Sequence, residues 1–218
     1  MAPRLGPVAS CDVSAPDDRP AWDHLPPWEP LAPPSAISLT DAARRLGHYA
    51  WAELRTFEIL GRWTTSIGAP FAGRLAAHAN EHALHADAFR RRFPELRELD
   101  RDAAATPANN DLVVFFDALD ASESVADRLV GAYRVLLPHL AATYRMHANR
   151  TSPVSDAPTM RTLRIVLDDD TDQITDGAIM LSTVLTDAEA VAGAASVQAE
   201  LETLLVAAGG IAGTPGAD

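Results

Sequence analysis

Beyond Ser38, apolar residues recur every three or four positions in long runs, which is the spacing of helices that bury one face. The runs are interrupted by proline, glycine and short polar residues, the usual signals of helix ends. The pattern predicts helices over 38–66, 70–92, 109–119, 122–149, 156–185 and 186–209. No alternating strand pattern and no glycine-rich phosphate loop is present in the sequence. The fold class predicted is therefore all-α.

Several of these ends carry specific signals. Ser38 and Asp41 form a capping-box pattern, with Asp in place of Glu, at the start of the first helix. Pro70 suits the first turn of the second helix, and Pro138 predicts a kink inside the fourth. Four long helices, with a longer connection between the second and third of them, are typical of a bundle with a crossover. We expect a four-helix bundle followed by an extra C-terminal helix.

The first 37 residues differ from the rest in composition. They hold nine of the 16 prolines, and proline removes backbone donors and prevents regular pairing. Trp22 and Trp28 also lie here, so this extended arm is either a leader or a segment that docks its tryptophans on the domain or on a second subunit. The organisation predicted is an arm over 1–37, a bundle over 38–208 and a flexible tail over 209–218.

Charge and composition exclude several functions. The formal net charge is −12, and an acidic surface repels nucleic-acid phosphates and anionic lipid headgroups. All 18 basic residues are arginine, so no lysine is available for a Schiff base or a phosphate loop. The single Cys11 fits a reducing compartment, and neither a membrane-spanning run nor a secretion signal is evident. We expect a cytoplasmic protein that binds neither nucleic acid nor membranes.

Polar residues interrupt the apolar stripe of the second helix. Positions 75, 78, 82, 85 and 89 read Leu, His, His, His and Phe. Steps of three and four residues keep these five side chains on one helix face. One interpretation is a set of ordinary surface histidines, and the other is a buried polar site built around His78, His82 and His85.

Carboxylates interrupt two further stripes. Positions 46, 50, 53, 57 and 60 read Leu, Ala, Glu, Phe and Leu, which places Glu53 on the buried face of the first helix. Glu58 is the competing candidate there, on a face that suits a solvated acid. In the helix 156–185 the pattern turns Asp170 inward, with Gln173 one turn further on. The neighbouring acids, Asp168, Asp169 and Asp172, are predicted to be solvated. A buried carboxylate needs a proton, a cation or a metal nearby.

The helix 122–149 is less informative. Tyr133 lies on its main apolar stripe and is able to direct a hydroxyl at the site, whereas His139 follows Pro138 on another face. The pattern does not decide between these two residues.

This set of residues resembles the ferritin-like superfamily of di-iron carboxylate proteins, in its tRNA-hydroxylase-like and rubrerythrin-like branches. The resemblance covers about residues 39–186 and rests on the run His82-x-x-His85-Ala-Asp87 and on the acidic run 168–172 before Gln173. It implies that Glu53 occupies the ligand position of the family's first helix. It also implies that Asp170, in the helix 156–185, occupies a ligand position of the family's fourth helix. The chain departs from the family because His82 and Gln173 stand where the Glu and the His of two Glu-x-x-His motifs are expected. Too few carboxylates remain to bridge two iron ions.

The sequence therefore predicts an atypical His/carboxylate centre in an enzyme that acts on a small organic molecule. In one hypothesis His82, His85, Glu53 and Asp170, with His78 as a further candidate ligand, bind a single Fe, Mn or Zn ion in an oxidoreductase. In the other no metal is bound, and a histidine oriented by a carboxylate carries out acid–base catalysis. The alternative to an enzyme is a non-catalytic ligand-binding bundle or a structural oligomer, such as a homodimer joined through the N-terminal tryptophans.

Overall fold

The computed structural model describes residues 37–94, 100, 104–154 and 156–213, and this part of the chain is all-helical, with no β-strand. Its elements are α1 (Leu39–Trp63), α2 (Ala69–Arg90), α3 (Asn110–Asp120), α4 (Val125–Val130), a π-helical segment (Gly131–Leu136), α5 (Leu137–Arg150), α6 (Ala157–Val184) and α7 (Ala188–Ala207). The predicted all-α class is confirmed. The N-terminal arm with Trp22 and Trp28 lies outside the described residues.

The helix ends follow the sequence signals closely. The Ser38 hydroxyl accepts the Asp41 N–H at 3.0 Å, as the capping pattern predicts. The side chains of Asn109, Ser124 and Asp187 cap α3, α4 and α7 in the same way. Each of these contacts satisfies a backbone N–H that has no partner inside its own helix.

The helices bury their apolar stripes against one another. Helix α1 packs along α2, α6 contacts α2 and α5, and α7 contacts α3 and α4. Helix α3 is short, but Leu112, Phe115, Phe116 and Leu119 are all fully buried. Burial of a side chain of this size stabilises the fold by about 2 kcal/mol.

One residue of the predicted α1 stripe is misplaced. Phe57 was expected in the core, but its side chain is 38% exposed. The buried face of α1 passes through Glu53, Thr56 and Leu60 instead. Thr56 tolerates burial because its hydroxyl donates to the carbonyl of Ala52 at 2.8 Å, so no polar atom is left unpaired.

The predicted kink at Pro138 takes the form of a π-helical segment just before the proline. The Leu137 N–H donates to the carbonyl of Ala132, five residues back, rather than to the carbonyl four residues back. Proline has no N–H and its ring crowds the carbonyl of the residue four positions earlier, and a wider turn relieves both problems. The segment carries Tyr133, whose ring packs so closely on Gly177 of α6 that a Cβ at position 177 would clash with it.

Residues 209–213 are the described part of the predicted tail. Gly209 and Gly210 have φ angles of 72° and 77°, a left-handed conformation that glycine adopts without strain. They turn the chain back so that Ile211 is fully buried in the core. The Asn109 amide also donates to the carbonyl of Ala208 at 2.8 Å.

By length and composition alone, one helix of the described residues, α7, is apolar enough to cross a membrane. Its most apolar window has a mean hydropathy of 1.2, and 17% of that window is buried. No run of this kind was expected from the sequence. Helices of soluble proteins pass the same test, so the observation does not by itself place α7 in a bilayer.

Candidate metal centre

Four polar side chains from three helices meet in the core. One ligand atom from each of Glu53, His82, His85 and Asp170 lies within 4.8 Å of the others, and all four side chains are buried. These are the residues that interrupted the apolar stripes of α1, α2 and α6 in the sequence. We call this group the four-residue centre, and it could hold a metal ion.

The regular stripe of α2 brings the two histidines into this group. Leu75 and Phe89 are fully buried at its two ends and fix which face of α2 points inward. The residues His82 and His85, one turn apart on that face, place their ring centroids 5.6 Å apart and nearly perpendicular. The interpretation of these histidines as surface residues is therefore wrong.

Glu53 lies at the middle of a hydrogen-bond network. The His82 Nδ1–H donates to Oε2 at 2.5 Å, and the Tyr144 hydroxyl donates to Oε1 at 2.5 Å. Burial raises the pKa of Glu53, but the charges and hydrogen bonds of His82 and, to a smaller extent, His85 together outweigh burial and hold that pKa well below its usual range. Glu53 is accordingly a buried carboxylate anion.

His85 is held between two carboxylates. Its Nε2–H donates to Asp169 Oδ2 at 3.0 Å, and its Nδ1 lies 3.5 Å from Glu53 Oε2. Burial lowers the pKa of His85, but the surrounding acids, chiefly Glu53 and then Asp169, together outweigh burial and raise the pKa to about 9. Asp169 was predicted to be solvated. Its side chain is 41% exposed, and one of its oxygens also accepts from His85, a contact that the sequence did not predict.

Several buried atoms of the centre have no hydrogen-bond partner among the described residues. They are His82 Nε2, His85 Nδ1 and both carboxylate oxygens of Asp170. Burial and the nearby charge of Glu53 raise the pKa of Asp170 well above its usual range. A buried polar atom without a partner is costly, and a metal ion that replaced the protons held here would give each of the three residues a partner. The chemistry of this donor set fits a transition-metal ion.

Tyr144 is a residue of the network that the sequence analysis missed. The stripe 129, 133, 136 and 140 reaches Tyr144 when it is extended by one more turn, so the signal was present. Tyr144 is fully buried and packs edge-on against Tyr49, with ring centroids 5.0 Å apart. Burial raises the pKa of its hydroxyl well above the usual range, which keeps the hydroxyl a hydrogen-bond donor.

His78, proposed from sequence as a further metal ligand, is not part of the four-residue centre. Its Nδ1 accepts the Tyr133 hydroxyl at 2.7 Å, and its Nε2–H donates to Asp176 at 3.4 Å. Arg74 in turn forms an ion pair with Asp176. Both ring nitrogens of His78 are therefore engaged one turn away from the centre. Of the two residues left open by the sequence, Tyr133 points at His78, and His139 is half-buried elsewhere on α5.

Two other candidate residues have partners of their own. Gln173 donates its amide to Glu81 at 2.8 Å, so Glu81 contacts the buried face of α6 without joining the four-residue centre. Glu58 pairs with Arg55 at 2.7 Å, as expected of an acid near the surface.

His147 lies outside the centre and makes the stability of the fold depend on pH. It is fully buried, its Nδ1 lies 3.3 Å from the Tyr49 hydroxyl, and Arg45 and Asp156 are the charged groups that act on it. Burial, with a smaller contribution from Arg45, lowers its pKa to about 4. Because the unfolded chain binds this proton more readily, stability is lost as the pH falls from about 6.5 to about 4.

We therefore expect His147→Phe to remove part of the acid sensitivity of the fold. The free energy of unfolding of the original chain, relative to this variant, should fall by about 2 kcal/mol between pH 7 and pH 4.5. Urea unfolding of both proteins with a chelator present measures this difference, since all other titrating groups are shared. An unchanged difference at the two pH values would show that His147 is accessible to protons in the folded state.

Comparison of the chain with family models, with curated proteins and with solved structures gives no match in any of the three.

Proposed function

We propose that this chain is a ferritin-like helical protein that binds one divalent transition-metal ion at Glu53, His82, His85 and Asp170. The observation that carries the proposal is the set of buried atoms without partners, contributed by α2 and α6 and facing the anionic Glu53. Two imidazoles with carboxylates suit iron, manganese or zinc better than magnesium or calcium, which prefer oxygen ligands.

The charges favour a single ion. Two buried carboxylates offset the charge of one divalent cation, whereas a pair of such cations requires further bridging carboxylates. The helix α5 contributes the Tyr144 hydroxyl to this network and not a carboxylate. Burial and Glu53 favour the protonated form of Asp170, and Glu53 favours that of His85, so both residues become ligands by losing a proton.

Neighbouring residues hold these ligand side chains in place through hydrogen bonds. Asp169 accepts from one nitrogen of His85 and leaves the other nitrogen available. A carboxylate on the outer nitrogen fixes the ring orientation and the tautomer of a metal-bound histidine. Tyr144 holds the second oxygen of Glu53 in place.

For the reaction, we propose oxidoreductase chemistry. A bound iron or manganese ion with an open position would supply one-electron chemistry on dioxygen or a comparably small molecule. All four side chains are buried, so a larger organic substrate would react from outside the centre or enter by helix movement.

A metal-free acid–base centre is the second candidate. It is favoured by the continuous hydrogen bonds from His82 through Glu53 to Tyr144, both 2.5 Å long. In that case Glu53 orients His82, and the imidazole is the group that carries a proton.

Elemental analysis of protein purified without chelator tests the proposal. We expect about one iron, manganese or zinc ion per chain, and loss of nearly all of it in His82→Ala and His85→Ala. His147→Ala is the matched control, since it removes another fully buried histidine with an unpartnered nitrogen and should retain the metal. Circular dichroism of each variant establishes that it is folded.

Two metal ions per chain would contradict the single-ion centre. No metal, together with unchanged thermal stability after addition of Fe²⁺, Mn²⁺ or Zn²⁺, would reject metal binding and leave the acid–base centre or a non-catalytic bundle.

A further inference from the structure

A groove of about 310 Å³ lies between α5 and α6 and is separate from the four-residue centre. Its apolar wall is formed by Ala148, Met160 and Leu167, and its charged rim by Arg145, Arg164 and Asp168. This volume is at the lower end of the range typical of small-molecule pockets. All residues of the groove belong to the described part of the chain.

The two arginines of the groove differ from the arginines that join helices. Arg55, Arg62 and Arg74 each form an ion pair with an acid on another helix. Arg145 and Arg164, in contrast, have no hydrogen bond or ion pair with any described residue, although the chain carries a net charge of −12. Two cations that share one groove repel each other unless an anion lies between them.

The balance of charge indicates the ligand. Asp168 lies four residues after Arg164 on α6 and offsets one positive charge, which leaves the groove with one in excess. A guanidinium group binds a carboxylate or a similar oxyanion through two parallel hydrogen bonds. The methionine, leucine and alanine side chains offer apolar surface to the remainder of the same ligand.

We propose that this groove binds a small organic monoanion, with a carboxylate or sulfonate at the arginines and an apolar body against Met160 and Leu167. The proposal goes beyond the metal centre and does not depend on it. The groove is nevertheless close to the centre in sequence, because Arg145 follows Tyr144 and Asp168 precedes Asp169 and Asp170.

Fluorescence titration with 8-anilinonaphthalene-1-sulfonate tests the proposal, because this probe joins one sulfonate to an apolar ring system. We expect saturable binding of one probe per chain, in the full-length protein with chelator and after metal loading alike. Arg145→Gln and Arg164→Gln should each weaken binding about tenfold or more, the cost of losing a charged hydrogen-bond donor. Both side chains are exposed, so the variants should keep the unfolding midpoint of the original chain.

Arg161→Gln is the matched control, because it removes the same charge from an exposed position of α6 outside the groove. It should leave probe binding unchanged, and the neutral N-phenyl-1-naphthylamine should bind at least tenfold more weakly than the sulfonate. Equal losses in all three variants, or equal binding of the neutral probe, would overturn the proposal. Co-sedimentation with phosphatidylglycerol vesicles that depends on Arg145 and Arg164 would also overturn it, in favour of a membrane surface. Binding that persists with chelator supports the groove even if no metal is found.

Discussion

Addition of Mn²⁺ or Zn²⁺ to the chelator-treated protein is expected to raise its stability by about 4 kcal/mol when the free ion is at a thousand times its dissociation constant. For a chain of this size the gain corresponds to a rise in Tm of roughly 8 to 16 °C. The physical reason is that the ion gives a partner to the unpartnered atoms of Asp170, His82 and His85. These atoms lie close together only in the folded chain. Differential scanning calorimetry measures the shift, and Mg²⁺ at the same concentration should have little effect.

The variant Asp170→Asn should be more stable than the original chain without metal and less stable than the original chain with metal. In the metal-free protein it replaces a buried carboxyl whose pKa is raised, and whose ionisation therefore opposes folding as the pH rises, so the variant should be more stable at pH 7. With Mn²⁺ or Zn²⁺ present it should be less stable than the original chain, because the anionic ligand is gone. Asp172→Asn, on the exposed face of α6, is the control and should leave the metal-dependent shift intact. If metal stabilised Asp170→Asn as much as the original chain, Asp170 would not be a metal ligand.

Glu53→Ala is expected to lower the free energy of unfolding of the metal-free protein by about 3 to 5 kcal/mol. The substitution leaves the Tyr144 hydroxyl and the imidazoles of His82 and His85 without the carboxylate that they share. Buried polar groups that lose their partner cost more than the removed contact was worth. Urea unfolding with chelator at pH 7 gives the difference.

Two comparison variants make the Glu53 result specific. Glu58→Ala removes the same side chain five positions later on α1, where it pairs with Arg55 near the surface, and should change stability by less than about 1 kcal/mol. Glu53→Gln keeps the shape and one acceptor oxygen, so its loss should lie between those of the two alanine variants. A loss of less than about 1 kcal/mol in Glu53→Ala would mean that the network is open to water.

The helices and most residues of the four-residue centre could be predicted from the sequence because helices have a regular repeat. An α-helix repeats every 3.6 residues, so a polar residue on the apolar stripe, such as Glu53, His82 or Asp170, is directed into the core by its neighbours. Each of these three is fully buried in the structure. The ferritin-like family and the metal that the resemblance implies are not settled by this geometry and stay predictions.

The features missed by the sequence analysis depend on tertiary contacts. Asp169 was expected in solvent because its spacing puts it beside the buried face of α6, and only the position of α2 brings His85 within 3.0 Å of it. His78 shares the stripe of His82, but Tyr133 and Asp176 engage both of its nitrogens. Periodicity gives the direction of a side chain and cannot give the partner on another helix.

The π-helical segment constrains the length of this part of the chain. Its hydrogen bonds reach back five residues instead of four, so this turn holds one extra residue, and each residue of an α-helix rotates the chain about the helix axis by about 100°. A homologue that lost one residue between Gly131 and Leu136 would rewind as plain α-helix and carry Tyr144 and His147 away from Glu53 and Tyr49. Insertions and deletions in descendants of this gene should therefore collect in the connections between helices and be absent from this turn, however freely its side chains vary.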